Sequence, residues 1–190
     1  MKNRAKKYYV LANEYLEATK VLLNTIIENE NKSCGIGNSD EEALIDLEKN
    51  IKKSDAYLLI PAMFDGIQTV ELFIKALLLL NGKCVPYNHE VDGMMKQLKE
   101  LYGEQSEIFR ALQDFYKNQI EILKFFKKTN NITNLTDLYE ALRYPENNSK
   151  VYEYYDLKYK GKTVLKQYEK MLNKIEIIRS EVFIIFAKPK

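Results

Sequence analysis

Apolar residues recur at helical spacing along most of this chain, and in one segment they nearly fill it. From 5 to 29, Tyr8, Leu11, Tyr15, Leu22 and Ile26, widened by Val10 and Leu23, predict a first helix. The polar stretch 29–40, with Gly35 and Gly37, breaks that pattern. Ser39 or Asp40 then predicts the cap of a short helix through Ile51, with Glu41 and Glu42 favourable in its first turn. Pro61 suits the first turn of a helix, where its missing N–H is not needed, so a central helix is expected over Pro61–Leu80, ending at Asn81-Gly82. A second helix is expected after the loop that holds His89, running to Leu101.

A third long helix is expected over 105–128, on the stripe Ile108, Phe109, Leu112, Phe115, Tyr116, Ile120, Leu123 and Phe126. A short helix from Thr136 to Leu142 is stopped by Pro145, which disfavours helical geometry at Tyr144. The tyrosine-rich stretch 151–160 reads as a small β-hairpin turning near Lys160-Gly161. A last helix, 163–186, carries Leu165, Tyr168, Leu172, Ile175, Ile178, Val182 and Ile185. Strand content is slight, so the expected class is all-α, a bundle of four to six helices.

A length of 190 residues without repeats or low-complexity linkers fits a single domain, 1–190, large enough for a real core. The net charge of +2 imposes no general attraction to nucleic acid or anionic membrane. Cys34 and Cys84 lie in no metal-binding or redox spacing, so a reducing cytoplasm is the expected setting. The basic N-terminus is followed by no uninterrupted apolar run before Glu14, and no signal peptide is expected. Every apolar run falls short of the roughly 18 residues that would predict a membrane span. The single histidine and unclustered cysteines predict no metal site and no cofactor.

On the central helix, Asp65, Gln68, Glu71 and Lys75 form a narrow polar stripe in otherwise apolar surroundings. Glu71 precedes Lys75 by four residues, the better orientation for an ion pair within a helix. The stripe either faces solvent or forms a partly buried pair that must recruit further polar groups, since an unpaired buried charge costs several kcal/mol. His89, Arg143 and Tyr144 are the candidate partners.

The run VELFIKALLLLNGK (Val70–Lys83), followed by NHEVDGMMKQLKEL (Asn88–Leu101), resembles the core of HEPN domains. Many of these carry a helix with an E-L-x-x-K-A-L signature and then a turn with an N/G-H segment opening the next helix. The later LYEALRYPE (Leu138–Glu146) resembles the R-Y-P segment of one branch. The matching positions are Glu71, Lys75, His89, Arg143 and Tyr144. The resemblance implies an all-α HEPN-like bundle, commonly a homodimer with its functional residues at a shared cleft. It implies either a metal-independent ribonuclease of phage defence or toxin–antitoxin systems, or a non-catalytic module for RNA or nucleotide. A nucleotidyltransferase antitoxin is an implied partner.

The nuclease motif of that superfamily is an arginine followed four to six residues later by histidine. His transfers protons near neutral pH, and Arg stabilises the charge that develops on the phosphate. Here no arginine precedes His89 at that distance; Arg110 is followed by ALQDFYK, Arg143 by YPENNSK and Arg179 by SEVFIIF. The favoured expectation is therefore a non-catalytic binding module in a prokaryotic defence or stress setting. The alternatives are an RNA endonuclease assembled in space from His89 and Arg143, with Glu71 orienting the imidazole, and a structural protein-interaction domain.

Lysines crowd the region 150–174, and Tyr152, Tyr154, Tyr155 and Tyr159 interleave with the first of them. Lysines neutralise phosphates and aromatic faces stack on unpaired bases, so Tyr152, Tyr154, Tyr155, Lys158, Tyr159 and Lys160 are a candidate nucleic-acid surface. The opposing reading is tyrosines in a small strand and lysines solvating a helix face.

Overall fold

The chain is described from a computed structural model over residues 2–87, 89–147 and 150–188. It is all-α, with eight α-helices among those residues: α1 (Lys2–Glu28), α2 (Asp40–Ile51), α3 (Asp55–Leu80), α4 (Val91–Tyr102), α5 (Glu107–Lys117), α6 (Glu121–Thr129), α7 (Leu135–Arg143) and α8 (Leu165–Ala187). That exceeds the four to six expected for the bundle; seven of them correspond to segments read from the pattern, and the eighth arises because the segment 105–128 is two helices. No helix among the described residues is long and apolar enough to cross a membrane.

The frame is α3, which α1 follows along much of its length while α8 packs against both. From Leu59 to Leu79 α3 buries most of its side chains, so it is surrounded rather than laid on a surface. The buried stripe of α1 is Ala5, Ala12, Leu16, Thr19, Leu23 and Ile26. It is rotated from the stripe read in the sequence, leaving Val10 and Leu11 exposed. Small residues win the contact because α1 lies close to α3. At Gly66 a Cβ would come within 2.5 Å of Met171 Cε, 3.2 Å of Ile175 Cδ1 and 3.5 Å of Thr19 Cγ2, so glycine permits three helices to meet there.

The central helix starts at Asp55, not Pro61. Ser54 has extended geometry and accepts the N–H of Ala56 on its hydroxyl, a stronger start signal than the proline. Pro61 therefore lies inside α3, on its exposed side, where water can bond the Tyr57 carbonyl that the proline ring leaves without a helical donor.

The expected helix over 105–128 is two helices. Lys174 of α8 reaches across to the end of α5, where its ammonium donates to the carbonyls of Asp114 (3.1 Å) and Asn118 (2.7 Å) and pairs with the Asp114 carboxylate (2.6 Å). The Asp114 carbonyl also accepts the Asn118 N–H at 2.9 Å, the last bond of the helix, while the lysine takes up the Asn118 carbonyl, and the chain leaves the helix at Asn118. Gln167, also from α8, then accepts the Ile122 N–H and starts α6. The apolar periodicity runs through both helices because both bury the same side.

The hairpin expected over 151–160 is displaced. The antiparallel pair is Glu146–Asn147 with Lys150–Val151, two residues per strand. Residues 155–157 instead form one 3₁₀ turn and 161–164 another, before α8.

Candidate functional site

The polar stripe on α3 turns inward. Glu71 is 1% exposed and Lys75 6%, and Lys75 Nζ sits 2.7 Å from Glu71 Oε1. The second carboxylate oxygen of Glu71 accepts the Nδ1–H of His89 at 2.8 Å. An ionised carboxylate only accepts, so this contact puts a proton on Nδ1. His89 is 28% exposed at its side chain, so the network begins deep in the core and ends at the surface. The loop that carries it is held by the Thr136 hydroxyl, which donates to the His89 carbonyl at 3.3 Å. Asn88, the first residue of the resembling N-H segment, lies outside the described residues.

The partner that completes this group is Tyr139, on α7. Its ring stacks on His89 with centroids 3.7 Å apart and an interplanar angle of 27°, and it also touches Phe64 at 4.9 Å. Its hydroxyl donates to Gln68 Oε1 at 2.6 Å. Burial, and next the negative charge of Glu71, push the Tyr139 phenol up to about 12, while Arg143 pulls the other way. Tyr139 lies one helical turn before Arg143, inside the segment that the sequence pattern singled out. The missed signal is that α7 presents 139, not 144, to α3.

Arg143 and Tyr144 are placed beside this group but not in it. Arg143 is exposed, with its guanidinium carbon 5.0 Å from the centroid of the Tyr144 ring. Tyr144 has left helical geometry, as the residue before Pro145 should, and its carbonyl accepts the Tyr154 hydroxyl at 2.9 Å. No hydrogen bond or ion pair joins Arg143 to His89 or Glu71 among the described residues. Asp65 is half-buried, with its carboxyl raised by burial, and makes no side-chain bond to Glu71, Lys75 or His89.

The tyrosine–lysine surface loses two of its four tyrosines. Tyr152 is buried in the core. Tyr154 stacks on Phe126 at 5.6 Å and places its hydroxyl against the carbonyls of Ala141 (2.5 Å) and Tyr144. These two tyrosines hold the loop and cannot receive a base. Tyr155 and Tyr159 are exposed at 74% and 55%, with Lys160 Nζ 4.5 Å above the Tyr155 ring and Lys158 Nζ 5.9 Å from the Tyr154 ring.

That loop is anchored by a residue the sequence reading passed over. Asp55, fully buried at the start of α3, accepts the N–H of Tyr159 (2.7 Å) and of Lys160 (2.9 Å) and the Nδ2–H of Asn31 (2.8 Å). Asn31 in turn accepts the Asp55 N–H at 2.8 Å and donates to the Gly161 carbonyl at 2.9 Å. The carboxylate holds Tyr159 at φ +59°, a left-handed conformation unfavourable for a tyrosine. An aspartate beside a serine cap reads only as a first-turn acid, so nothing local marks it as a buried hub.

No group of three or more metal-ligating side chains occurs among the described residues. No curated protein matches the chain, and no solved structure does. The sequence model of the HEPN domain matches residues 41–182. That span runs from α2 to near the end of α8 and includes Glu71, Lys75, His89, Tyr139 and Arg143. The chain belongs to the HEPN domain family.

Proposed function

We propose that this protein is a single-domain, non-catalytic HEPN binding module for RNA or a nucleotide, homodimeric and acting in a prokaryotic defence or stress setting. Family membership supports a nucleotide- or RNA-related module in general terms. The observation that carries the non-catalytic reading is the division of labour around Glu71. One of its oxygens neutralises a buried lysine and the other fixes His89, while the arginine that would stabilise phosphate charge lies over Tyr144. No hydrogen bond or ion pair fixes Arg143 beside His89 or Glu71 among the described residues, so the charge-stabilising group is not held at the acid–base group. Tyr155 and Tyr159 remain exposed as stacking faces, with the half-buried Lys158 and Lys160 beside them as cations.

The test is binding of single-stranded RNA by purified protein across a salt series. Affinity that falls steeply with salt is expected, because phosphate contacts release counterions. Absent or salt-insensitive binding at low salt removes the RNA reading.

One observation favours endoribonuclease as a second reading. Glu71 fixes the His89 tautomer, and the ring reaches the surface, as an oriented general base requires. RNA cleavage that resists EDTA and disappears in both His89→Ala and Arg143→Ala would establish it over the binding module.

A further inference from the structure

Helix α2 is the one long element in which no side chain is buried. Its residues Glu41, Leu44, Ile45 and Glu48 stand at i, i+3, i+4 and i+7, so two aliphatic side chains share one face with two carboxylates. All four are exposed, Leu44 at 61% and Ile45 at 63%. The Ala43 side of the helix is already covered. The preceding loop lies so close there that a Cβ on Gly35 would come within 1.9 Å of the Ala43 carbonyl oxygen. Polar bonds, not burial, tie α2 to the rest: the Asn29 amide donates to the Asn50 carbonyl and the Asn50 amide to the Cys34 carbonyl, each at 3.2 Å. A helix this short is marginal without an apolar face to bury, and here that face is turned to water.

At the far end of α1 the charge is reversed. A groove of about 380 Å³ lies where the start of α1 meets the end of α8. Tyr9, Leu80 and Phe183 give it an apolar lining, and Lys2, Lys6 and Lys188 are its cations. No carboxylate occurs among its described lining residues. Phe183 is 58% exposed, an aromatic ring left uncovered. The 27 residues of α1 span about 40 Å, and α2 follows its opposite end, so the groove is out of reach of the same chain's α2.

We propose that two copies of this chain pair antiparallel, the outer face of α2 in each lying in the groove of the other. Leu44 and Ile45 pack on Tyr9, Leu80 and Phe183, while Glu41 and Glu48 meet Lys2, Lys6 and Lys188. A twofold pair makes this contact twice, so both uncovered surfaces of each copy close together. An anionic membrane or an acidic peptide complements the groove alone and leaves α2 bare. A second copy answers both. The inference rests on the homodimeric part of the functional reading above and names its interface, which shares no residue with the His89 group.

Sedimentation equilibrium of the full chain over a concentration series is the test. The wild type is expected to dimerise, more weakly as salt rises. Glu41→Lys/Glu48→Lys and, separately, Lys2→Glu/Lys6→Glu should each weaken the dimer about tenfold or more, and the chain carrying all four substitutions should return to within about threefold of wild type. Leu44→Ser/Ile45→Ser should weaken the dimer as strongly, yet leave the unfolding midpoint of the monomer nearly unchanged, because within one chain these side chains are not buried. A wild-type dimer indifferent to both charge reversals, or losses that the four substitutions together do not restore, overturns this interface and leaves the homodimer to another surface. A wild type that stays monomeric removes the interface and the homodimer together, and RNA binding by that monomer would still uphold the binding module.

Discussion

Tyr139 covers one face of His89 at a centroid separation of 3.7 Å while its own hydroxyl is fastened to Gln68. The imidazole is thus fixed twice, in plane by the Glu71 carboxylate and from above by a side chain that cannot swing away without losing a hydrogen bond. Three elements, α3, α7 and the loop before α4, meet through this pair.

The Glu71–Lys75 pair sets the first expectation. Glu71→Gln removes the carboxylate that faces Lys75 in the core and should cost about 3–5 kcal/mol in denaturant unfolding, and Lys75→Met should cost a comparable amount. The double variant Glu71→Gln/Lys75→Met should be milder than the sum, because neither partner is left charged and alone. Single-variant losses below about 0.5 kcal/mol would mean the pair is not a buried ion network.

Alkaline stability should report on Tyr139. Its phenol titrates near 12 in the fold against an ordinary value of 10.0, so between those values the unfolded chain releases a proton that the folded chain keeps. Stability from this group is therefore complete below pH 10 and is lost as pH rises through 12. Tyr139→Phe should cost about 1 kcal/mol at neutral pH through the lost bond to Gln68, and the deficit relative to wild type should shrink above pH 10. A deficit that stays constant to pH 12 would contradict this assignment.

At the acid end the informative residue is Asp114. The hydrogen bond from Lys174, and then that from Asn118, hold its carboxyl below the ordinary 3.8. That stabilisation is present above pH 3.8 and disappears as pH falls through the lowered folded value. Lys174→Met should cost about 1.5–3 kcal/mol at neutral pH, because it also removes the donor to the Asp114 and Asn118 carbonyls, and should flatten the acid limb of the stability curve.

Asp55→Asn should cost about 2–3 kcal/mol, since an amide offers a single acceptor oxygen where the carboxylate serves several donors with two. Amide exchange should accelerate first at Tyr159 and Lys160. Unchanged protection at those two amides would mean that the loop is held by something else.

The helical class and the polar stripe follow from the sequence, which leaves open whether that stripe faces solvent or the core; the packing of α3 buries Glu71 and Lys75. His89 as their neighbour follows as well. What escapes is whatever depends on a distant side chain reaching a backbone group. Lys174 ends α5 from the last helix, and no residue between 105 and 128 announces that break. Ser54 outranks Pro61 as a start signal, although Pro61 is the more conspicuous residue. Arg143 and Tyr144 draw notice by their motif, but α7 turns Tyr139 toward α3, and the phase of a nine-residue helix cannot be read from its ends. In the tyrosine–lysine segment, the alternation of residues does not distinguish rings that face the core from rings that face water.

The Asp55 hub has a bearing on the order of events during synthesis. Its partners Tyr159 and Lys160 lie 104 and 105 residues further along the chain, and Asn31 holds Gly161 across 130. While the ribosome has released α1 and α3 but not yet that loop, the amino-terminal pair must either leave the carboxylate hydrated or bury it short of donors. Closure of the α1–α3 junction therefore waits on the final third of the polypeptide, a long-range dependence that slows folding. A nascent chain stalled before the loop should present that junction open to chaperones.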